Sequence, residues 1–105
     1  MGNPDRMVTI TAILHAKPGA EAELQAALLA VAAHVLAAEP GTVDFFISRD
    51  AGTPAVFTTY ERFRDRDAME THNGSAAVAA FFAAAVPILD GPVTLHICDE
   101  ISAKR

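Results

Sequence analysis

Between residues 58 and 72 the sequence changes its period. Thr58-Thr59-Tyr60-Glu61-Arg62-Phe63 is rich in β-branched and aromatic residues and reads as the end of a strand. Arg64-Asp65-Arg66-Asp67 is a charged turn, and Ala68-Met69-Glu70-Thr71-His72 continues as a helix. Strand side chains alternate with period two, so Glu61 and Phe63 share one face. His72 follows Phe63 by nine residues, past the turn and about two helical turns. A short turn folds this helix back over its strand. An acid, an aromatic ring and an imidazole then line one cleft between them.

The rest of the chain must supply layers around that pair. Its 105 residues suit one domain, and the 51% of hydrophobic residues are enough for a small core. Residues 1–6 are polar and are expected to be a disordered tail ahead of a domain over 7–105. A net charge of −5, with Lys and Arg scattered, argues against a nucleic-acid partner. The single cysteine, Cys98, excludes an internal disulfide and a cysteine metal cluster. Set in an apolar strand, it is expected to be an inert buried thiol. The N-terminus lacks the apolar core of a signal peptide. The apolar run 26–38 is too short to cross a bilayer and is interrupted by His34. A cytoplasmic protein with no membrane partner is the expectation.

Val8-Thr9-Ile10-Thr11-Ala12-Ile13-Leu14-His15 is a β-branched strand with Val8, Ile10, Ala12 and Leu14 on one face. After the Lys17-Pro18-Gly19 turn, Glu21 and Glu23 open a helix where its dipole favours acids. Leu24, Leu28, Val31 and Val35 draw one apolar stripe along it. Pro40-Gly41 ends it. Residues 42–49 and 55–63 are the next strands, antiparallel across the loop 50–54. Asp65 is placed to cap the following helix. That helix breaks near Asn73-Gly74 and restarts on Ser75, with Val78, Phe81, Phe82 and Ala85 facing inward. Residues 93–101 form the last strand. The β-α-β-β-α-β order gives an α+β, ferredoxin-like four-stranded antiparallel sheet with both helices on one face. Phe46 and Tyr60 suit a partly apolar second face, which suggests a homodimer packed sheet to sheet.

Several pieces resemble one family: Ala16-Lys17-Pro18-Gly19-Ala20-Glu21, Ala38-Glu39-Pro40-Gly41-Thr42 and Ser48-Arg49-Asp50. The stretch from Pro54 to Tyr60-Glu61-Arg62-Phe63, then Ala68-Met69-Glu70-Thr71-His72 and residues 87–92, continue the series. In this order and spacing, from about Val8 to Ile101, the chain resembles the antibiotic biosynthesis monooxygenase family of dimeric α/β barrels. The resemblance implies oxidation of a small quinol or phenolic compound by molecular oxygen, with no flavin, haem or metal cofactor. Non-catalytic small-molecule binding and haem binding are the alternatives within the family. The family usually carries Glu-x-Trp where this chain has Glu61-Arg62-Phe63, and often a second histidine where it has residues 75–78. Its haem-degrading branch uses a first-strand asparagine, the Trp and the helix His. Here those places hold Thr11 or a neighbour, Phe63 and His72, so haem degradation is not expected.

Cofactor-free oxygenation needs a substrate that supplies its own electrons once it loses a proton. The protein must hold the ring in an apolar pocket, take the proton and exclude water. His72 is the first candidate base, because its ordinary pKa of about 6.5 lies near operating pH. Glu61 is the second candidate, as orienter of His72 or acceptor of a substrate hydroxyl. The plainer expectation for Glu61 is an ion pair with Arg49 or Arg62. Phe63, Met69, Thr11 and Phe81 are the substrate-binding candidates, although core packing alone also explains the aromatic residues. Tyr60 points to the opposite face from Glu61. His15, His34 and His96 lie on separate elements without metal-ligand spacing.

Overall fold

The computed structural model describes residues 6–104. Most of the expected tail, residues 1–5, lies outside the described residues. Arg6 is exposed and reaches toward Asp99 at 3.9 Å.

Strand β1 (Val8–His15) alternates as its sequence dictates, burying Val8, Ile10, Ala12 and Leu14. Helix α1 (Glu21–Ala38) lays Leu24, Leu28, Val31 and Val35 on the sheet. By length and composition alone α1 is long and apolar enough to cross a bilayer. The shorter run 26–38 understates it, since the helix starts at Glu21. Here it is a layer of the fold, with its stripe covered by sheet. Strand β2 (Thr42–Arg49) pairs with β3 (Val56–Phe63). Helix α2 (Arg66–Asn73) starts on Asp65, whose carboxylate accepts from the Ala68 amide at 2.8 Å. It stops at Gly74, and α3 (Ala76–Ala85) restarts on Ser75, whose hydroxyl accepts from the Val78 amide at 3.2 Å. A 3-10 turn (Val86–Ile88) leads toward β4 (Thr94–Asp99).

The sheet runs β2-β3-β1-β4, all antiparallel. This is the α+β, ferredoxin-like architecture, with three α-helices because the second helical stretch divides at Gly74. Register sets two rows on the helix-bearing face of the sheet, covered by helices except at β4. Phe45, Glu61, Ile10 and Ile97 stand side by side in one, and Ile47, Thr59, Ala12 and Leu95 in the next. Phe57, Phe63, Ile10 and Leu24 are the largest fully buried side chains, each contributing about 1.5–3 kcal/mol of burial.

Strand β4 is shorter than residues 93–101, and all of it is exposed, so Cys98 is an exposed thiol rather than a buried one. The apolar sequence around Cys98 marks an edge strand that α1 and α3 do not cover. Phe82 is 41% exposed. It still lines the space between helices and sheet beside Val78 and Phe81, while Phe81 and Ala85 are buried as expected. Behind the sheet, Phe46 and Tyr60 stack with centroids 6.5 Å apart. Arg62 spans the same face, donating to Glu100 at 2.8 and 2.9 Å and to Asp44. Those two carboxylates hold its pKa above the usual guanidinium value against some burial.

Candidate active site

Glu61 sits mid-sheet on the helix-covered face and is 6% exposed. A carboxylate there needs partners. The Thr59 hydroxyl, two residues earlier on the same strand face, donates to Glu61 Oε2 at 2.7 Å. His72 supplies the second partner, its Nε2 standing 3.3 Å from Glu61 Oε1. Helix α2 delivers that ring from its last turn, where the dipole favours a cation. Phe63 packs behind the imidazole with centroids 5.3 Å apart, and Phe45 stands beside it at 5.6 Å.

The other ring nitrogen meets an acid too. His72 Nδ1 lies 2.8 Å from Glu39 Oε1, which also accepts from the Thr42 hydroxyl at 2.7 Å. Glu39 Oε2 is buried, with His34 Nε2 at 3.0 Å, close enough for an ion pair but not aligned as a hydrogen bond. This Glu39–His72–Glu61 arrangement depends on a close approach at Gly41. A Cβ there would stand 2.7 Å from the Ala68 Cβ, so only glycine lets α2 lie against the α1–β2 turn that carries Glu39.

Only the doubly protonated imidazolium satisfies both carboxylates. Burial disfavours the charged ring, but the contacts with Glu61 and Glu39 outweigh it and hold the pKa above 6.5.

Glu61 and His72 open into a cleft of about 520 Å³, counting the part open to solvent. Its walls include Ile10, Leu28, Phe45, Phe81 and Leu95. The structure thus brings together Glu61, His72 and Phe81. It puts Phe63 and Met69 elsewhere. Both are buried with Val8 and Ile10 in a small core under α2, where Phe63 backs the His72 ring, and neither walls the cleft. Thr11 is also outside the cleft. It pairs with Tyr60 and His96 on the opposite sheet face, because odd-numbered β1 positions point away from the helices. The expected Glu61 ion pair with Arg49 or Arg62 does not form. Arg62 belongs to Asp44 and Glu100, and Arg49 donates to the Pro54 carbonyl at 2.8 Å and lies over the Phe57 ring.

Sequence reasoning missed Glu39. The signal was present: an acid at a helix C-terminus opposes the dipole, so a Glu ending an alanine-rich helix calls for a compensating cation. Among the described residues, no three His, Cys, Asp or Glu side chains are arranged to hold a metal.

Residues 7–84 match the family described as antibiotic biosynthesis monooxygenase. The chain belongs to that family. Among solved structures it is similar to a candidate antibiotic biosynthesis monooxygenase from Caulobacter crescentus. The two share 28% identity over 93% of this chain and 92% of that one, with a TM-score of 0.86. A protein of unknown function from Nitrosomonas europaea shares 29% identity over 98% and 97%, with a TM-score of 0.80. A Mycobacterium tuberculosis protein, at 24% identity over 94% and 99% and a TM-score of 0.86, shares the fold. No curated protein matches. Membership in the antibiotic biosynthesis monooxygenase family supports a general monooxygenase-like function.

Proposed function

We propose that the protein oxidises a small quinol or phenolic compound with molecular oxygen, without a resident cofactor. One observation carries the reading: a buried carboxylate, Glu61, and an imidazolium, His72, stand together at the wall of a mainly apolar cleft whose other polar lining residues are Thr59 and Asn73. That pairing exchanges the roles the sequence suggests. An imidazolium already protonated on both nitrogens is no base. Glu61 therefore accepts the hydroxyl proton, and His72 Nε2–H stabilises the phenolate oxygen that forms. Glu39 positions His72, and Phe81 and Phe45 hold the ring.

The electrons come from the substrate. The hydroquinone anion passes one electron to oxygen, giving a semiquinone and superoxide. A second electron and two protons, one of them returned by Glu61, then yield quinone and hydrogen peroxide. Where the radicals combine at an activated CH₂ carbon, a hydroperoxide forms. Loss of water from it leaves a carbonyl that retains one oxygen atom.

The proposal is for a cytoplasmic homodimer with no nucleic-acid or membrane partner. Support for the dimer comes from the exposed Phe46 and Tyr60 on the sheet face away from the helices. Haem ligation is disfavoured, since both His72 nitrogens already face carboxylates. A non-catalytic binding domain is the second reading, favoured by Phe63 in the family's indole position.

The test is oxygen uptake by metal-stripped protein against a panel of hydroquinones and naphthols, with an autoxidation blank. Loss of the general base is expected to slow turnover in Glu61→Gln about 100-fold or more. His72→Ala is expected to be comparably impaired. No uptake above the blank by the wild type, together with thermal stabilisation by the same compounds, would establish the binding domain instead.

A further inference from the structure

Charge in the cleft is one-sided. Among the described residues, its ionisable lining groups are Glu61 and His72, and Glu39 stands directly behind His72. Two carboxylates around one imidazolium leave a net charge of −1 on these three groups, and His34, 3.0 Å from Glu39 Oε2, does not line the cleft. The surrounding walls, including Ile10, Leu28, Phe45 and Phe81, bring no compensating charge. Neighbouring arginines are engaged elsewhere. Arg62 is held on the opposite sheet face by Asp44 and Glu100. Arg49 is bound to the Pro54 carbonyl, and Arg64 lies 3.5 Å from Asp65. A neutral hydroxyl entering this cleft can donate to Glu61. A ligand that also carries an anionic group brings a second negative charge toward a carboxylate in low dielectric, and the one cation lining the cleft is already committed to two acids.

We infer that Glu61 makes the cleft selective for uncharged hydroxyarenes and excludes aromatic ligands that carry a carboxylate, phosphate or sulfate. This rests on the aromatic-cleft reading above and narrows it to a charge class. Polarity alone does not give the same result. An apolar pocket with a neutral hydrogen-bond acceptor would disfavour anions only through desolvation, and changing the charge of the cluster would not alter its preference.

The experiment compares 2-naphthol with 6-hydroxy-2-naphthoate, the same ring without and with a carboxylate, by anaerobic equilibrium dialysis at pH 7. Wild type is expected to bind the naphthol at least about tenfold tighter, as repulsion at an effective dielectric near 20 requires. Glu61→Gln removes the repelling charge and is expected to narrow that ratio several-fold. His72→Gln removes the cation and is expected to widen it. A packing defect would weaken both probes together and could not move the ratio in opposite directions. Should Glu61→Gln not unfold cooperatively, Glu39→Gln also removes one charge and should narrow the ratio, to a smaller extent.

Equal binding of the two probes by wild type overturns the inference. So does a ratio indifferent to all three variants, or binding of neither probe. Oxygen uptake separates this from the oxidation itself. Turnover without charge selectivity removes the selectivity alone. Selectivity without turnover removes the oxidation alone.

Discussion

Glu39→Gln tests the electrostatic account of the site most directly. The change keeps the size of the side chain and its carbonyl oxygen and removes one of the two charges flanking His72. Glu39 Oε1 lies 2.8 Å from His72 Nδ1, and both side chains are nearly excluded from solvent, at 6% and 5% exposure. The Gln carbonyl can still accept from His72 Nδ1–H, so the variant loses the charge assistance and not the whole bond, about 1 kcal/mol at pH 6. At about 4–8 °C per kcal/mol for a domain near this size, Tm should fall by about 4–8 °C. The loss depends on pH with a definite sign. The pKa of His72 is raised on folding. Its stabilisation is therefore fully present below the unfolded value of about 6.5 and is lost as pH rises through the folded pKa. The gap between wild type and variant should accordingly be widest near pH 6 and shrink toward pH 9. The assay is urea unfolding at matched protein concentration across that range, with the His72 ring titrated by NMR in both proteins. A constant gap from pH 6 to 9, or a His72 pKa that does not fall in the variant, would refute the reasoning. Either result would mean that Glu39 acts by shape alone.

Three further outcomes follow from the same geometry. Gly41→Ala drives a Cβ to 2.7 Å from the Ala68 Cβ; the overpacking should cost about 1–3 kcal/mol, read by urea unfolding, and should lower oxygen uptake by moving α2 and His72. Arg62→Met leaves Asp44 and Glu100 without their shared cation and should cost about 2 kcal/mol, again by urea unfolding, with oxygen uptake unchanged because Arg62 faces away from the cleft. Phe46→Asp with Tyr60→Asp puts charge on the stacked pair behind the sheet; if the proposed dimer packs there, sedimentation should show a dimeric wild type and a monomeric variant.

Much of this architecture was legible in the sequence because single-element periodicity governs it. The β1 alternation, the α1 stripe, the Asp65 and Ser75 caps and the opposite facing of Glu61 and Tyr60 each follow from a local rule, and each is where that rule puts it. The Glu61–His72 juxtaposition was legible for the same reason, since one turn joins their elements. What failed to show depends on contacts between distant segments. Glu39 and His72 are separated by 33 residues, and only the α2 approach to Gly41 joins them. The partners of Arg62 come from β2 and from the residue after β4. The exposure of Cys98 depends on which strand forms the sheet edge, which an apolar run does not specify. Thr11 was drawn toward the site by family position, while the alternation of its own strand already placed it on the other face.

The Phe63 position shows how a departure from the family pattern acts. Its ring is fully buried and stands 5.3 Å from the His72 ring, at 46°. A phenyl group brings no hydrogen-bond donor, so the position can fix the imidazole but cannot supply an N–H to a ligand, as an indole could. Positioning then comes from packing, and polarity from the acids. Phe63 and Phe45 hold the plane of the imidazole, while Glu39 and Glu61 hold its charge. The polar groups presented to the cleft by this cluster reduce to one carboxylate and the edge of one imidazolium. This favours chemistry that begins with removal of a proton from a neutral hydroxyl over chemistry that needs an N–H donor from Phe63's place in the strand.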